Sequence, residues 1–173
     1  DVVVQTIVKP TADQLDLLVR VPLEAMRDVN FPQTGMGYLV ISEADEFLRD
    51  AAALWIGQEV TVYQNDQPLT DWAIAAVRLA LPSDRSFESY DTAIQTVLSA
   101  PLSDKEDLQR DQAMLDVLIR YPIDSADSEF SIQPSFERLG MKTTTIVRYL
   151  HPDGTDRVFS FAGDPGLLRL DPR

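Results

Sequence analysis

Leu115-Asp116-Val117-Leu118-Ile119-Arg120-Tyr121-Pro122-Ile123 decides how the rest of the chain is read. Leu115, Val117, Ile119, Tyr121 and Ile123 occupy every second position, with Asp116, Leu118 and Arg120 among the residues between them. Period two sends alternate side chains to opposite faces, so residues 113–123 read as one long strand with an apolar face. Residues 15–21 repeat the pattern: Leu15, Leu17, Val19 and Val21 on one side, Asp16 and Arg20 on the other. The β-branched run at 2–8 precedes them across the turn cluster Lys9-Pro10-Thr11-Ala12-Asp13. Residues 2–21 therefore read as a hairpin with one half-buried face.

Working outward, further strands are expected at 59–64, 72–81, 130–133, 142–150 and 157–162, the last with Phe159 and Phe161 inward. Turn residues separate them at Asn65-Asp66-Gln67-Pro68, His151-Pro152-Asp153-Gly154 and Gly163-Asp164-Pro165-Gly166. Two segments carry helical spacing instead. Phe47, Leu48, Ala51, Leu54 and Trp55 predict a helix at 43–56, with Ser42 as the capping residue and Gly57 at the C′ position. Phe87, Tyr90, Ile94, Val97 and Leu98 predict a second helix that stops before Pro101. Residues 103–112 read as a charged linker or a short exposed helix, and residues 30–37 as a loop. About eight strands and two helices joined by short connections give a mainly β (α+β) class. The expected architecture is an antiparallel β-sandwich-like single domain over 1–173, with the one plausible seam at 99–112.

Composition narrows the chemistry. Of 173 residues, 15 are Lys or Arg and 28 are Asp or Glu, for a net charge of -13. That field repels phosphate backbones and anionic lipid, so nucleic acid is not an expected partner. The acidity is uneven: residues 83–137 hold 4 basic and 12 acidic side chains, whereas residues 138–173 hold 6 and 4. Apolar residues make up 45% and charged residues 25%, a globular balance rather than a disordered one. The absence of cysteine excludes thiolate metal sites, iron–sulfur clusters and disulfides. The longest apolar stretch, 72–81, is half the ~20 residues a bilayer span needs and contains Arg78. The chain opens at Asp1 without an initiator Met, so an upstream segment is expected.

Motifs for catalysis are missing. His151 is the one histidine, with Asp153 and Asp156 nearby, and no G-x-S-x-G elbow accompanies it; it reads as a turn residue. One imidazole falls short of the nitrogen or sulfur donors a transition-metal site needs. The methionines Met26, Met36, Met114 and Met141 are scattered and read as core filler, and Trp55, Trp72, Phe159 and Phe161 as core. Two acidic groups are weak candidates for hard cations: Asp104, Glu106, Asp107 and Asp111, then Asp124, Asp127 and Glu129. Neither has the D-x-[DN]-x-[DN]-G order of a calcium loop, so both read first as solvated acidic surface. No phosphate loop occurs, and no cofactor is expected.

One further pattern lies in the C-terminal half. The stretch 115–123 leads to Arg138-Leu139-Gly140, then Thr143-Thr144-Thr145, Arg148-Tyr149-Leu150 and Pro152-Asp153-Gly154. It closes on Gly163-Asp164-Pro165-Gly166-Leu167-Leu168-Arg169-Leu170-Asp171-Pro172-Arg173. This series resembles the N-terminal soluble region of HupE/UreJ-type membrane proteins, specifically from about 113 onward and more loosely before it. The resemblance implies an extracytoplasmic, periplasmic domain preceded by a cleaved signal peptide and followed by its own C-terminal transmembrane helices. That family is associated with nickel uptake and with hydrogenase or urease maturation. The resemblance places metal ligands in the membrane helices, so it transfers no functional residue to a position here.

The leading expectation is a non-catalytic extracytoplasmic domain of a metal-transport membrane protein, acting as a partner-binding or gating module. Its acidic 84–129 surface would gather divalent cations weakly, as a charged field does without a built site. The second expectation is a secreted or periplasmic module that binds a peptide, or itself, through a strand edge. A carboxylate-based hydrolase has no positive feature in its favour.

Overall fold

The computed structural model describes residues 2–140 and 142–171. Asp1, Met141, Pro172 and Arg173, and with them the last two residues of the C-terminal motif, lie outside the described residues. Elements follow in the order β1 (Val2–Thr11), β2 (Gln14–Pro22), α1 (Asp45–Trp55), β3 (Val60–Gln64), β4 (Gln67–Pro68) and β5 (Ala73–Ala80). Then come α2 (Tyr90–Val97), β6 (Met114–Pro122), β7 (Phe130–Pro134), β8 (Thr143–Leu150), β9 (Asp156–Ala162) and β10 (Leu168–Arg169). The protein is mainly β, with two α-helices among the described residues, as the alternation predicts. The short pairs β4 and β10 add to the expected strands.

A six-stranded sheet has the order β5-β6-β2-β1-β8-β9, and a four-stranded sheet the order β10-β7-β3-β4. All pairs are antiparallel except β1 with β8, which run parallel from Val2 opposite Thr143 to Val8 opposite Tyr149. The two sheets pack face to face. Val4, Val8, Leu17, Val19, Val117 and Ile119 of the larger meet Val60, Val62, Phe130 and Ile132 of the smaller, with Leu48, Ala51 and Trp55 of α1 in the same core. On the opposite face of the larger sheet, α2 buries Ala93 and Val97 over Ile7, Leu18 and Leu118.

That second face corrects the half-buried reading of β2. Asp16 and Arg20 are as buried as their apolar neighbours, at 2% and 3% exposure. Register explains why: Asp16 stands opposite Arg120 and Arg20 opposite Asp116. Arg20 Nε and Nη2 donate to both Asp116 carboxylate oxygens, at 2.6 and 2.7 Å. Its remaining donors reach Asp84 O, Asp84 Oδ1 and Ser86 Oγ, and its guanidinium lies over the Phe87 ring. Asp16 accepts from Arg120 Nε and from the Tyr90 hydroxyl of α2. Charges matched across neighbouring strands satisfy each other, so the face can take a helix as cover.

Local expectations change in three places. Ser42 does not cap α1: its hydroxyl donates to Asp104 Oδ2 and its N–H to Asp104 Oδ1, while Ala44 takes the cap position. Gly57 is not a left-handed stop. It opens a 3₁₀ turn against the Trp72 ring, and a Cβ there would sit 2.6 Å from two ring carbons. Met36 stands 79% exposed in the 30–37 loop rather than filling core, and Phe159 and Phe161 are half-buried. Residues 103–112 fold as two 3₁₀ turns, held by Arg110 donating to Met26 O and Val29 O and by buried Leu108.

Candidate functional site

The acidic groups singled out in the sequence occupy exposed surface and do not converge. Asp104 is taken up by Ser42, whose hydroxyl and then N–H hold its carboxyl below the usual range. Glu106, Asp107 and Asp111 are exposed around it, with Asp107 in a left-handed backbone conformation at φ 49°. Asp124 bonds to Gln64 through both its N–H and its carboxylate, at 2.7 and 3.2 Å. Asp127 and Glu129 are exposed, their N–H groups bonded to Ser125 Oγ and Asn65 Oδ1. Among the described residues no three His, Asp or Glu side chains are placed to hold a metal ion.

His151 directly follows β8 and lies beside two carboxylates. Its Nδ1 accepts from the Asp153 N–H at 3.1 Å and lies 2.9 Å from Asp153 Oδ1. Nε2 lies 3.3 Å from Asp171 Oδ1. Asp171, distant in sequence, takes the place expected of Asp156, and its other oxygen accepts from the Phe130 N–H at 2.6 Å. The Tyr149 hydroxyl reaches the same carboxylate at 3.5 Å, and burial beside Asp171 pushes that phenol up. Among the described residues no serine or threonine hydroxyl bonds to either imidazole nitrogen, and the Asp171 carboxylate holds the 163–171 segment against His151, Tyr149 and Phe130.

The clefts are lined by charges of both signs. The one between α1, β5 and α2 encloses about 330 Å³, and both its arginines are already engaged: Arg49 with Asp45 and Ile74 O, Arg78 with Ala100 O.

What the structure leaves open is a strand edge. The larger sheet ends at β5 on one side and β9 on the other. The β5 edge is broken by a bulge at Ile74/Ala76, α1 lies against it, and Arg49 Nη1 caps Ile74 O. The β9 edge has none of these. Gly163 N–H donates to Thr143 O and His151 N–H to Thr155 O, bracketing the β8–β9 ladder. In an antiparallel pair the bonded residues alternate. The odd-numbered residues of β9 therefore bond to β8, while Asp156, Val158, Ser160 and Ala162 turn their N–H and C=O groups outward. None of these groups has a backbone partner in another element among the described residues. Val158 is 58% exposed, and β9 carries neither Pro nor Lys, the usual protections of an edge. Sequence alternation reveals β9 as a strand, but only topology reveals it as an edge.

No family model matches the chain, and neither does any curated protein.

Proposed function

We propose that this chain is a non-catalytic extracytoplasmic domain that works by binding a partner, and that it serves a HupE/UreJ-type metal-transport membrane protein in that way. The observation that carries partner binding is the uncovered β9 edge. A row of outward backbone groups beside half-buried Phe159 and Phe161 is a template for strand addition. The tether to a membrane unit rests on the resemblance of residues 113–173. The clipping of Asp171 to His151 and Phe130 suits a domain whose C-terminal segment must be held in a defined direction. The acidic surface at 84–129 contributes a cation-attracting field, not a coordination site.

Two measurements test this. The coding sequence beyond codon 173 should contain several apolar segments of ~20 residues, some bearing His and Asp. A stop codon immediately after Arg173 overturns the membrane tether and leaves a secreted or periplasmic strand-edge module. Separately, a photo-crosslinking residue placed at Val158 in the full-length protein in cells should capture a defined partner band. The same residue at Leu54, exposed on α1, should not, and equal capture at both positions refutes the edge.

A further inference from the structure

We propose that the partner of the β9 edge is a second copy of this chain, the two β9 strands pairing antiparallel across a two-fold axis so that two six-stranded sheets become one. The inference rests on the reading of that edge as the binding surface and goes on to name its occupant.

Self-pairing centred on Phe159 sets Asp156 opposite Ala162 of the second copy and Val158 opposite its Ser160. This register matches outward residues with outward residues, so every N–H and C=O that β9 turns away from β8 finds a partner. On the other face Phe159 meets its own copy, and Arg157 comes to lie beside Phe161, as it already lies over Phe159 within one chain at 5.0 Å. The only charged residues of β9 are Asp156 and Arg157, and neither faces its like.

Charge distribution favours the same occupant. The chain carries -13 overall, yet residues 142–171, which hold β8, β9 and the following segment, contain four basic and four acidic side chains. Two copies meeting at β9 therefore join strands whose own charges balance, while Glu88 and Asp91 of the acidic segment line the cleft that Asp156 and Arg148 also border. The residual repulsion acts over distances that salt screens, at a Debye length of about 8 Å in 0.15 M salt. Association should strengthen as salt rises, opposite to the behaviour of a partner held by charge.

The test is sedimentation of the protein from about 1 μM to about 1 mM, the range in which a small, partly polar interface assembles. The wild type should move from 19.4 kDa toward twice that mass, and at lower protein concentration in 0.5 M than in 0.05 M NaCl. Ser160→Pro removes one outward N–H without touching the β8 ladder, and Val158→Lys puts a charge on the edge. Each should remain at 19.4 kDa throughout; should the proline variant fail to fold, the lysine variant decides. A wild type that stays monomeric overturns the second copy, as does a dimer that both variants leave unchanged. A fluorescent peptide copying residues 155–163 separates this from the broader reading. If a monomeric wild type still binds that peptide, the edge accepts strands but not its own copy. If it binds neither, both readings fall.

Discussion

Replacing Arg20 by Met tests whether the charged layer beneath α2 is a mutually satisfied unit. The guanidinium is 3% exposed and the Asp116 side chain 1%, and the two share bonds of 2.6 and 2.7 Å. Arg20→Met leaves Asp116 buried with no cation at bonding distance, and loss of one partner of a buried pair costs about 3–5 kcal/mol. Asp84, at 23% exposure, can turn to water and keeps its bond from the Ser86 N–H, so the loss falls mainly on Asp116. For a chain of this size that is a drop in Tm of roughly 6–20 °C. Arg20→Met with Asp116→Leu removes both charges together and should return to within about 1–2 kcal/mol of wild type. The single variant should also lose stability as pH rises. Burial already pushes the Asp116 carboxyl up, and without Arg20 its folded value stands further above the unfolded one. Such a group stabilises below the unfolded value, and that contribution is lost as pH climbs. Urea unfolding of the wild type, both single variants and the double variant at pH 5 and pH 8 measures all of this. A cost below about 1 kcal/mol for Arg20→Met, or a double variant as weak as the sum of the singles, refutes the satisfied-unit reasoning.

Asp84 should control the acid limb of stability. Burial raises its carboxyl, but bonds from Ser86 and Arg20 outweigh that and bring it to about 2, so its contribution is complete above ~4 and lost as pH falls toward 2. Asp84→Asn should flatten that limb in a pH series of thermal melts; an unchanged slope excludes the assignment. Gly57→Ala drives a Cβ to 2.6 Å from the Trp72 ring and should cost about 1–3 kcal/mol with a shift in tryptophan emission, whereas a neutral result would mean the ring moves freely. Tyr121→Phe should be neutral or stabilising by up to about 1–2 kcal/mol, because its buried hydroxyl has no hydrogen-bond partner among the described residues; a loss above 1 kcal/mol in urea would reveal a bonded water. Glu106→Gln, Asp107→Asn and Asp111→Asn together should lower divalent-cation accumulation measured by equilibrium dialysis at low salt, with the melt unchanged. Asp104 is spared because it holds Ser42. Retained cation uptake would remove the acidic field from the functional reading.

The strands were legible because period two survives in the sequence wherever one face meets the core. Residues 15–21 and 115–123 show it plainly, and both lie in the middle of the larger sheet. The same two stretches contain a signal that alternation alone does not use. Asp16 and Arg20 are spaced four apart, as are Asp116 and Arg120, and an antiparallel register turns the two equal spacings into two opposed pairs. Unlike charges at matched spacing on two strands thus predict a neighbour and a covered face, where one strand by itself predicts only a wet one. The parallel pairing of β1 with β8 joins Val2 to Thr143, and neither strand's pattern names its partner.

Local motifs misled where a distant residue took over a local role. Ser42 has the composition of a cap, but it lies inside the 3₁₀ turn Ile41–Glu43, ahead of the cap position at Ala44, and its hydroxyl and N–H both donate to the carboxylate of Asp104, 62 residues on. Gly57 has the position of a left-handed stop, but what requires glycine is the Trp72 ring pressed onto the backbone. Asp171 replaces Asp156 beside His151 because the segment after β9 folds back past β8, where Leu170 N–H bonds to Phe130 O. The edge follows the same logic. Its residues Asp156, Val158, Ser160 and Ala162 look like the solvent side of any amphipathic strand, and it is their place at the end of the order β1-β8-β9 that leaves their backbone unpaired. Side-chain pattern reports which face is wet, whereas strand order decides which hydrogen bonds are still available, and in this protein the second property carries the functional reading.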